Sequence, residues 1–165
     1  MSANAAMNFS PHGTHLLANE ESFRGYIYDD KTGGRWKPSG NKGKPTIGFG
    51  HLIPQDKNGK LLEDFSKGIT REEGERLFQR DLKRFVDAVR IFTTQPLTQN
   101  QFDACVSLCY NIGVQAFKGS SVCRFINAKS YGAAANAFLM WKFDDHHDPV
   151  LLPRRNRERT LFLTP

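Results

Sequence analysis

Between Thr98 and Gly113 the chain has almost no solvated face. Phe102, Cys105, Val106, Leu108, Cys109 and Ile112 fall nearly all round a helix that opens on Thr98-Gln99-Asn100-Gln101 and closes at Gly113. A helix apolar on every side must be enclosed by other elements, so this segment predicts the buried centre of a helical body. Its neighbours are legible on both flanks. Thr70-Arg71-Glu72-Glu73 is a capping box, with Thr followed three residues on by Glu. Leu77, Phe78, Leu82, Phe85, Val86 and Val89 then recur at helical spacing up to the break at Pro96. Shorter helices are predicted at about 121–128, 131–141 and 153–163. Ser10-Pro11 is a further helix start, a hydroxyl cap followed by Pro in the first helical position.

The segment from 22 to 66 is written in a different idiom. Phe23–Tyr28 is short and aromatic, and Thr46–His51 carries Gly48 and Gly50, so both predict strands of a small sheet. Between them, Lys31–Pro45 holds four Gly, two Pro, four Lys and one Arg, and predicts a mobile basic loop. A small sheet followed by a larger set of helices is α+β, with the elements segregated into two lobes and a cleft between them as the natural ligand site. Residues 1–9 predict a flexible arm and residues 10–165 a single domain, its sheet lobe at about 22–66 and its helical lobe in the remainder.

Composition narrows the function classes. With 39% hydrophobic residues and 13 Phe, the chain is too apolar for disorder. No stretch approaches the ~18 apolar residues of a membrane span. Met1–Glu20 lacks the charged start, apolar run and cleavage pattern of a signal peptide, which predicts synthesis in the cytoplasm. Three Cys, an odd number, argue against a disulfide framework, and Cys105, Cys109 and Cys123 are predicted as buried free thiols. A formal charge of +6 draws the chain toward polyanions: nucleic acid, anionic membranes or an acidic wall polymer. No nucleic-acid reading motif accompanies that charge. Asp144-Asp145-His146-His147-Asp148 has the composition of a metal cluster, but nothing beside it supports metal, and it is read as an exposed loop. No metal and no cofactor are expected.

The residues with chemistry lie in Glu21–His51. Glu21 leaves a predicted helix into Phe23 and Tyr26, where apolar neighbours would raise a carboxyl pKa. Asp30 ends a strand at a Gly-rich turn, where solvent and backbone N–H groups would keep it ionised. Thr46 sits in the Gly-flanked strand. Two carboxyls and a hydroxyl suffice to protonate a glycosidic oxygen and orient an attacking water. Spacing alone does not fix the pair, because Glu20 and Asp29 stand as far apart as Glu21 and Asp30.

The flanking residues supply the register. Glu21-Ser22-Phe23-Arg24, Tyr28-Asp29-Asp30 and Thr46-Ile47-Gly48-Phe49-Gly50-His51 follow, in order, the pattern of the phage-type (T4-like) lysozymes, the endolysin muramidases of glycoside hydrolase family 24. The sequence resembles that family over nearly all of its length from Ser10, through Gly68–Glu73, Pro96–Ala104, Tyr110–Gly113, Ala116–Ser120 and Arg154–Phe162. The resemblance implies a lysozyme-like fold with the active site in the cleft. It implies cleavage of the β-1,4 bond between N-acetylmuramic acid and N-acetylglucosamine in bacterial peptidoglycan. Glu21 would be the general acid, Asp30 would stabilise the transition state, and Thr46 would hold the water that attacks with inversion. Arg154 matches an Arg near the catalytic Glu, Leu52, Tyr110 and Ser120 match substrate-lining positions, and His51 is expected to pin the sheet lobe.

The chain departs from the family in the connection between Asp30 and Thr46, which is much longer here. Trp36 within it is a candidate sugar-stacking platform. The alternatives are a lytic transglycosylase, which closes an anhydro ring instead of admitting water, and a non-catalytic peptidoglycan-binding module. The partner expected is peptidoglycan, with no nucleic acid and no stable membrane insertion. Delivery to the periplasm would then need a holin-type pore or secretion machinery, and the protein is expected to be a monomer.

Overall fold

The computed structural model describes residues 2–165, and its chain divides into two compact units, 14–81 and 1–13 with 82–165. In the first of these the sheet is small. Strand β1 (Arg24–Asp29) pairs antiparallel with β2 (Pro45–Gly48), and β2 pairs antiparallel with β3 (His51–Leu52). The expected Thr46–His51 strand is therefore two strands. The break is a turn at Phe49-Gly50, flanked by Gly48 (φ 68°) and containing Gly50 (φ 83°), both in the left-handed region that glycine enters at low cost.

Helix α2 (Arg71–Asp81) covers this sheet. Its capping box forms as expected: the Thr70 N–H donates to Glu73 Oε2 at 2.7 Å, and the Glu73 N–H to Thr70 Oγ1 at 3.2 Å. Ile47, Ile53 and Leu77 are buried between sheet and helix, with Ile27, Leu61, Phe65 and Ile69 packed around them. Phe49 is sandwiched by Phe23 and Phe78, at ring separations of 5.2 and 5.6 Å. The compact unit 14–81 thus includes α2 and most of the first helix, and is longer than the 22–66 expected for a sheet lobe.

The other unit is helical. Helix α4 (Gln99–Ile112) is its buried centre, with every residue from Phe102 to Cys109 inaccessible. It is capped by Thr98 and Gln101 as the sequence predicts. Helices α3 (Lys83–Phe92), α5 (Val114–Lys118), α6 (Ser121–Asn127), α7 (Tyr131–Ala137) and α8 (Leu152–Leu163) complete this unit, with α8 the main partner of α4. The three Cys are free and buried, and burial pushes the Cys109 thiol up to about 12. The apolar run from Leu77 to Val89 is interrupted at Leu82, so it forms the two helices α2 and α3. Helix α1 (Pro11–Asn19) starts where expected, the Gly13 N–H donating to Ser10 Oγ at 2.9 Å.

The N-terminal segment corrects an expectation. Met1 lies outside the described residues, but residues 2–9 are not a free arm. The Asn4 side chain is buried, donates to Thr93 Oγ1 at 2.9 Å and to the Gln95 carbonyl at 2.8 Å, and accepts the Leu97 N–H at 3.0 Å. Phe9 is also in the core. Asn4 therefore satisfies the backbone where the chain turns from α3 toward α4. Asn4→Ala leaves several of these buried groups unpaired and should destabilise the fold by about 2 kcal/mol or more, read as a lowered urea midpoint with an unchanged slope.

Candidate functional site

Strand β1 sets the site. Tyr28 pairs with Thr46 on β2, and Thr46 pairs with Leu52 on β3. Directly paired residues point to the same face of a sheet, so Tyr28, Thr46 and Leu52 form one cross-strand row. Thr46 is buried and its hydroxyl donates to the Lys44 carbonyl at 3.2 Å, while Leu52 is exposed. Tyr28 is where the charges converge. The Arg24 guanidinium lies 4.7 Å from its ring centre. Burial raises the Tyr28 phenol pKa; Arg24 opposes that, and the carboxylates of Asp30 and Glu21 add to it. Both candidate acids are thus close enough to one phenol to act on it, and that phenol's partner in the sheet is Thr46.

Glu21 follows the last turn of α1, its N–H donating to the Ala18 carbonyl at 3.1 Å, and its side chain is half-buried. Arg24, one short step on, also donates to the Gly33 carbonyl and so ties the start of β1 to the loop beyond it.

Asp29 and Asp30 have different surroundings. Asp29 is buried, and its carboxylate gathers the N–H groups of Lys31 (2.9 Å), Thr32 (3.2 Å) and Lys42 (2.6 Å). Desolvation alone would raise its pKa. The N–H groups of Lys42, Lys31, Gly43 and Thr32 outweigh that and hold it below the ordinary carboxylate range. Asp30 is exposed, with one oxygen accepting the Lys44 N–H at 2.7 Å. Asp29 closes the loop, and Asp30 is the carboxylate left facing solvent. A side chain on Gly43 would collide with both carboxylates, so only glycine fits there.

The long Lys31–Pro45 segment is therefore not a mobile loop. It turns at Asp29–Gly34, and Arg35 then runs back beside β1, paired with Tyr28, with the Trp36 N–H donating to the Ile27 carbonyl at 3.0 Å. It turns again between Lys37 and Asn41, whose side-chain amide bonds both ways to Lys37. Covering the free edge of β1 removes a row of unpaired backbone groups. The return path places the Asp30 N–H on the Lys44 carbonyl at 3.1 Å, two residues before Thr46. The extra length is looped out, and Asp30 and Thr46 stay in register.

The remaining candidates occupy different surroundings. Both ring nitrogens of His51 are engaged, Nδ1 with Asp81 at 2.8 Å and Nε2 with Glu63 at 3.0 Å, which ties β3 to α2 and to the 61–68 segment. Trp36 lines a groove that includes none of Glu21, Asp30 and Thr46. Tyr110, on α4, stands edge-on to Phe85 at 5.3 Å. Ser120 is buried as the N-cap of α6, accepting the Cys123 N–H at 3.1 Å and donating to the Phe117 carbonyl at 2.7 Å. The cap accounts for this Ser without a substrate. Arg154 is buried beside Arg155 and Glu158.

The sequence reading singled out Arg154 in that last cluster, but not Arg155, Glu158 or Ser107. Glu158 accepts from Ser107 Oγ at 2.7 Å and from Arg155 at 3.0 Å, and Arg155 also donates to Asn111 at 2.9 Å. Burial raises the Glu158 pKa against the pull of Arg155. The only sequence signal was an Arg-Arg pair and a Glu at helical spacing, which reads as a solvated helix face.

The chain matches the phage lysozyme family over residues 18–158. It belongs to that family. This phage lysozyme is a peptidoglycan hydrolase of the endolysin type. It is 42% identical to the endolysin of Salmonella phage P22 over 96% of this chain and 99% of that one, and 36% identical to the endolysin of Bacillus phage B103, of which it spans 55%. Its fold superposes on the crystal structure of a P22 lysozyme mutant with a TM-score of 0.80, the two chains covered at 96% and 99%. It superposes on the muramidase domain of SpmX from Asticaccaulis excentricus with a TM-score of 0.72 at 34% identity, again over 96% and 99%.

The Asp29 clamp gives a pH dependence with a definite sign. A carboxyl whose folded pKa lies below its unfolded value, about 3.9, stabilises fully above that value and loses the contribution as pH falls through the folded one. The stability difference between wild type and Asp29→Asn should therefore be constant from neutral pH to about 5 and shrink below about 4. Urea unfolding across that range measures it; a difference that grows toward low pH would contradict the clamp.

Proposed function

We propose that this lysozyme cleaves the β-1,4 bond between N-acetylmuramic acid and N-acetylglucosamine by single displacement with inversion. Glu21 is the general acid that protonates the leaving glycosidic oxygen. Asp30, exposed to solvent, stabilises the oxocarbenium-like transition state and orients the water, and the Thr46 hydroxyl holds that water on the opposite side of the sugar ring. The observation that carries this reading is the β1–β2 register, which sets Tyr28 opposite Thr46 and the Asp30 N–H on the Lys44 carbonyl, with Glu21 on the lead into β1. Arg154 and His51 are supporting residues. Leu52 and Tyr110 are the candidates for substrate contact, and Ser120 is left to its cap.

The enzyme acts on peptidoglycan as a monomer and reaches the periplasm through a pore or a secretion machine. No helix among the described residues is long and apolar enough to cross a membrane, so a separate route across the inner membrane is consistent with the chain.

Glu21→Gln keeps the shape of the acid and removes its proton. It should fold as wild type and lower the rate of peptidoglycan solubilisation by about 10²–10⁴-fold, the range for loss of a general acid. Turbidity clearance of permeabilised Gram-negative cells reads this, with the melting temperature as the fold control. Near-wild-type clearance would move the acid to another carboxylate.

A further inference from the structure

The added segment builds a second surface on the sheet unit. Trp36 is half-buried in a groove of about 500 Å³, together with Tyr26, Arg35, Phe65 and Lys67. The Arg35 guanidinium lies 4.1 Å from the centre of the Tyr26 ring, which fixes a cation at the wall beside the indole. Lys67 brings a second cation, and both are exposed. A neighbouring depression of about 330 Å³, lined in part by Leu61 and Leu62, shares Ile27, Phe65 and Ser66 with this groove, so the two adjoin as one trough. The acids near it are already engaged: Glu63 is on His51 at 3.0 Å, and Asp64 is held by Ser66, whose hydroxyl and N–H lower its pKa. The part of the trough that holds Trp36 thus has two exposed cations and no carboxylate in its lining, while Glu63 and Asp64 line the neighbouring depression.

We infer that this trough is an accessory binding site for a second stretch of the wall polymer, one that takes the apolar face of an acetylated amino sugar on Trp36 and the carboxylates of its peptide stems on Arg35 and Lys67. The chemistry fits on two counts. A half-buried indole with adjoining apolar residues accepts a sugar ring, and two exposed cations accept carboxylates. The groove lining excludes Glu21, Asp30 and Thr46, so the polymer bound here is not the bond being cut. Such a site holds the enzyme on an insoluble substrate between cleavages, raising the local concentration of scissile bonds as a second binding module does. Its position follows from the sequence: without the long segment between Asp30 and Thr46 there is neither Arg35 nor Trp36.

This inference rests on the peptidoglycan reading above, and the test separates the two. Purified Gram-negative sacculi are sedimented with the Glu21→Gln protein and with Glu21→Gln variants carrying Trp36→Ala, Trp36→Phe or Arg35→Ala with Lys67→Ala. The site predicts several-fold weaker binding for Trp36→Ala, retention for Trp36→Phe, and weaker, less salt-sensitive binding for the double cation variant. It further predicts that the cation effect disappears on glycan strands stripped of their peptide stems by an amidase. Arg35 and Lys67 are exposed, so the cation variant remains informative if Trp36→Ala fails to fold. Binding equal to the parent in every folded variant would overturn the site. A cation effect that persists on stripped glycan would also overturn it, by showing that stem carboxylates are not the ligand. Release of soluble fragments by the Glu21→Gln parent itself would instead count against Glu21 as the general acid, whatever the groove does.

Discussion

The carboxylate of Asp29 is the contact on which the working face of the sheet unit depends. One buried side chain collects N–H groups from both ends of a fifteen-residue excursion, Lys31 and Thr32 at its start and Lys42 at its return. Without it, those N–H groups would lose their common acceptor, and the cost of closing a loop of this length would fall on the strand pairing alone. With it, the chain re-enters β2 in register. Asp30 then lies opposite Lys44, and Thr46 opposite Tyr28. Gly43 belongs to the same device, since any side chain there would push on both carboxylates. The two adjacent acids divide the work. The first is buried and accepts several backbone N–H groups; the second is exposed and accepts the Lys44 N–H.

The helical unit solves a related problem with charges. Arg155 is fully buried and Glu158 nearly so, with Ser107 and Asn111 donating or accepting from the facing helix. Removing one member of such a buried pair strands its partner, typically at about 3–5 kcal/mol. The geometry fixes how α8 is rotated against α4, because only one rotation brings Glu158 to Ser107 and Arg155 to Asn111. Arg154 sits on the same turn, 3.4 Å from Glu158. Its position is set by this network rather than by the flexible stem of an isolated surface Arg.

Local signals carried most of the elements. Thr70 with Glu73, and Thr98 with Gln101, cap their helices as the spacing dictates, and the apolar circumference of 102–112 marks the central helix. Local signals failed where a polar residue acts over a long sequence distance. Asn4 and Thr93 are far apart in the chain, so Asn4 reads as part of a loose terminus until its partners are known. The Gly- and Lys-rich composition of 31–45 reads as a mobile loop because the clamp that orders it is one Asp outside the segment. The candidate acids were legible as a motif, but spacing alone left Glu20 with Asp29 and Glu21 with Asp30 equivalent. The flanking residues of the motif chose Glu21 with Asp30, but the backbone N–H groups that bury Asp29 in a clamp are not displayed by any sequence pattern.

The account therefore turns on which of two neighbouring carboxylates does chemistry. The direct measurement is the initial rate of fragment release from purified peptidoglycan by Asp30→Asn and Asp29→Asn, each shown to be folded at neutral pH. Asp30→Asn should keep wild-type stability and lose roughly a hundredfold or more in rate, on the scale of losing a group that stabilises transition-state charge. Asp29→Asn should lose stability and, in the fraction that remains folded, retain far more of the rate. The reverse pattern, an active Asp30→Asn and a stable but inactive Asp29→Asn, would contradict the assignment of clamp and catalyst.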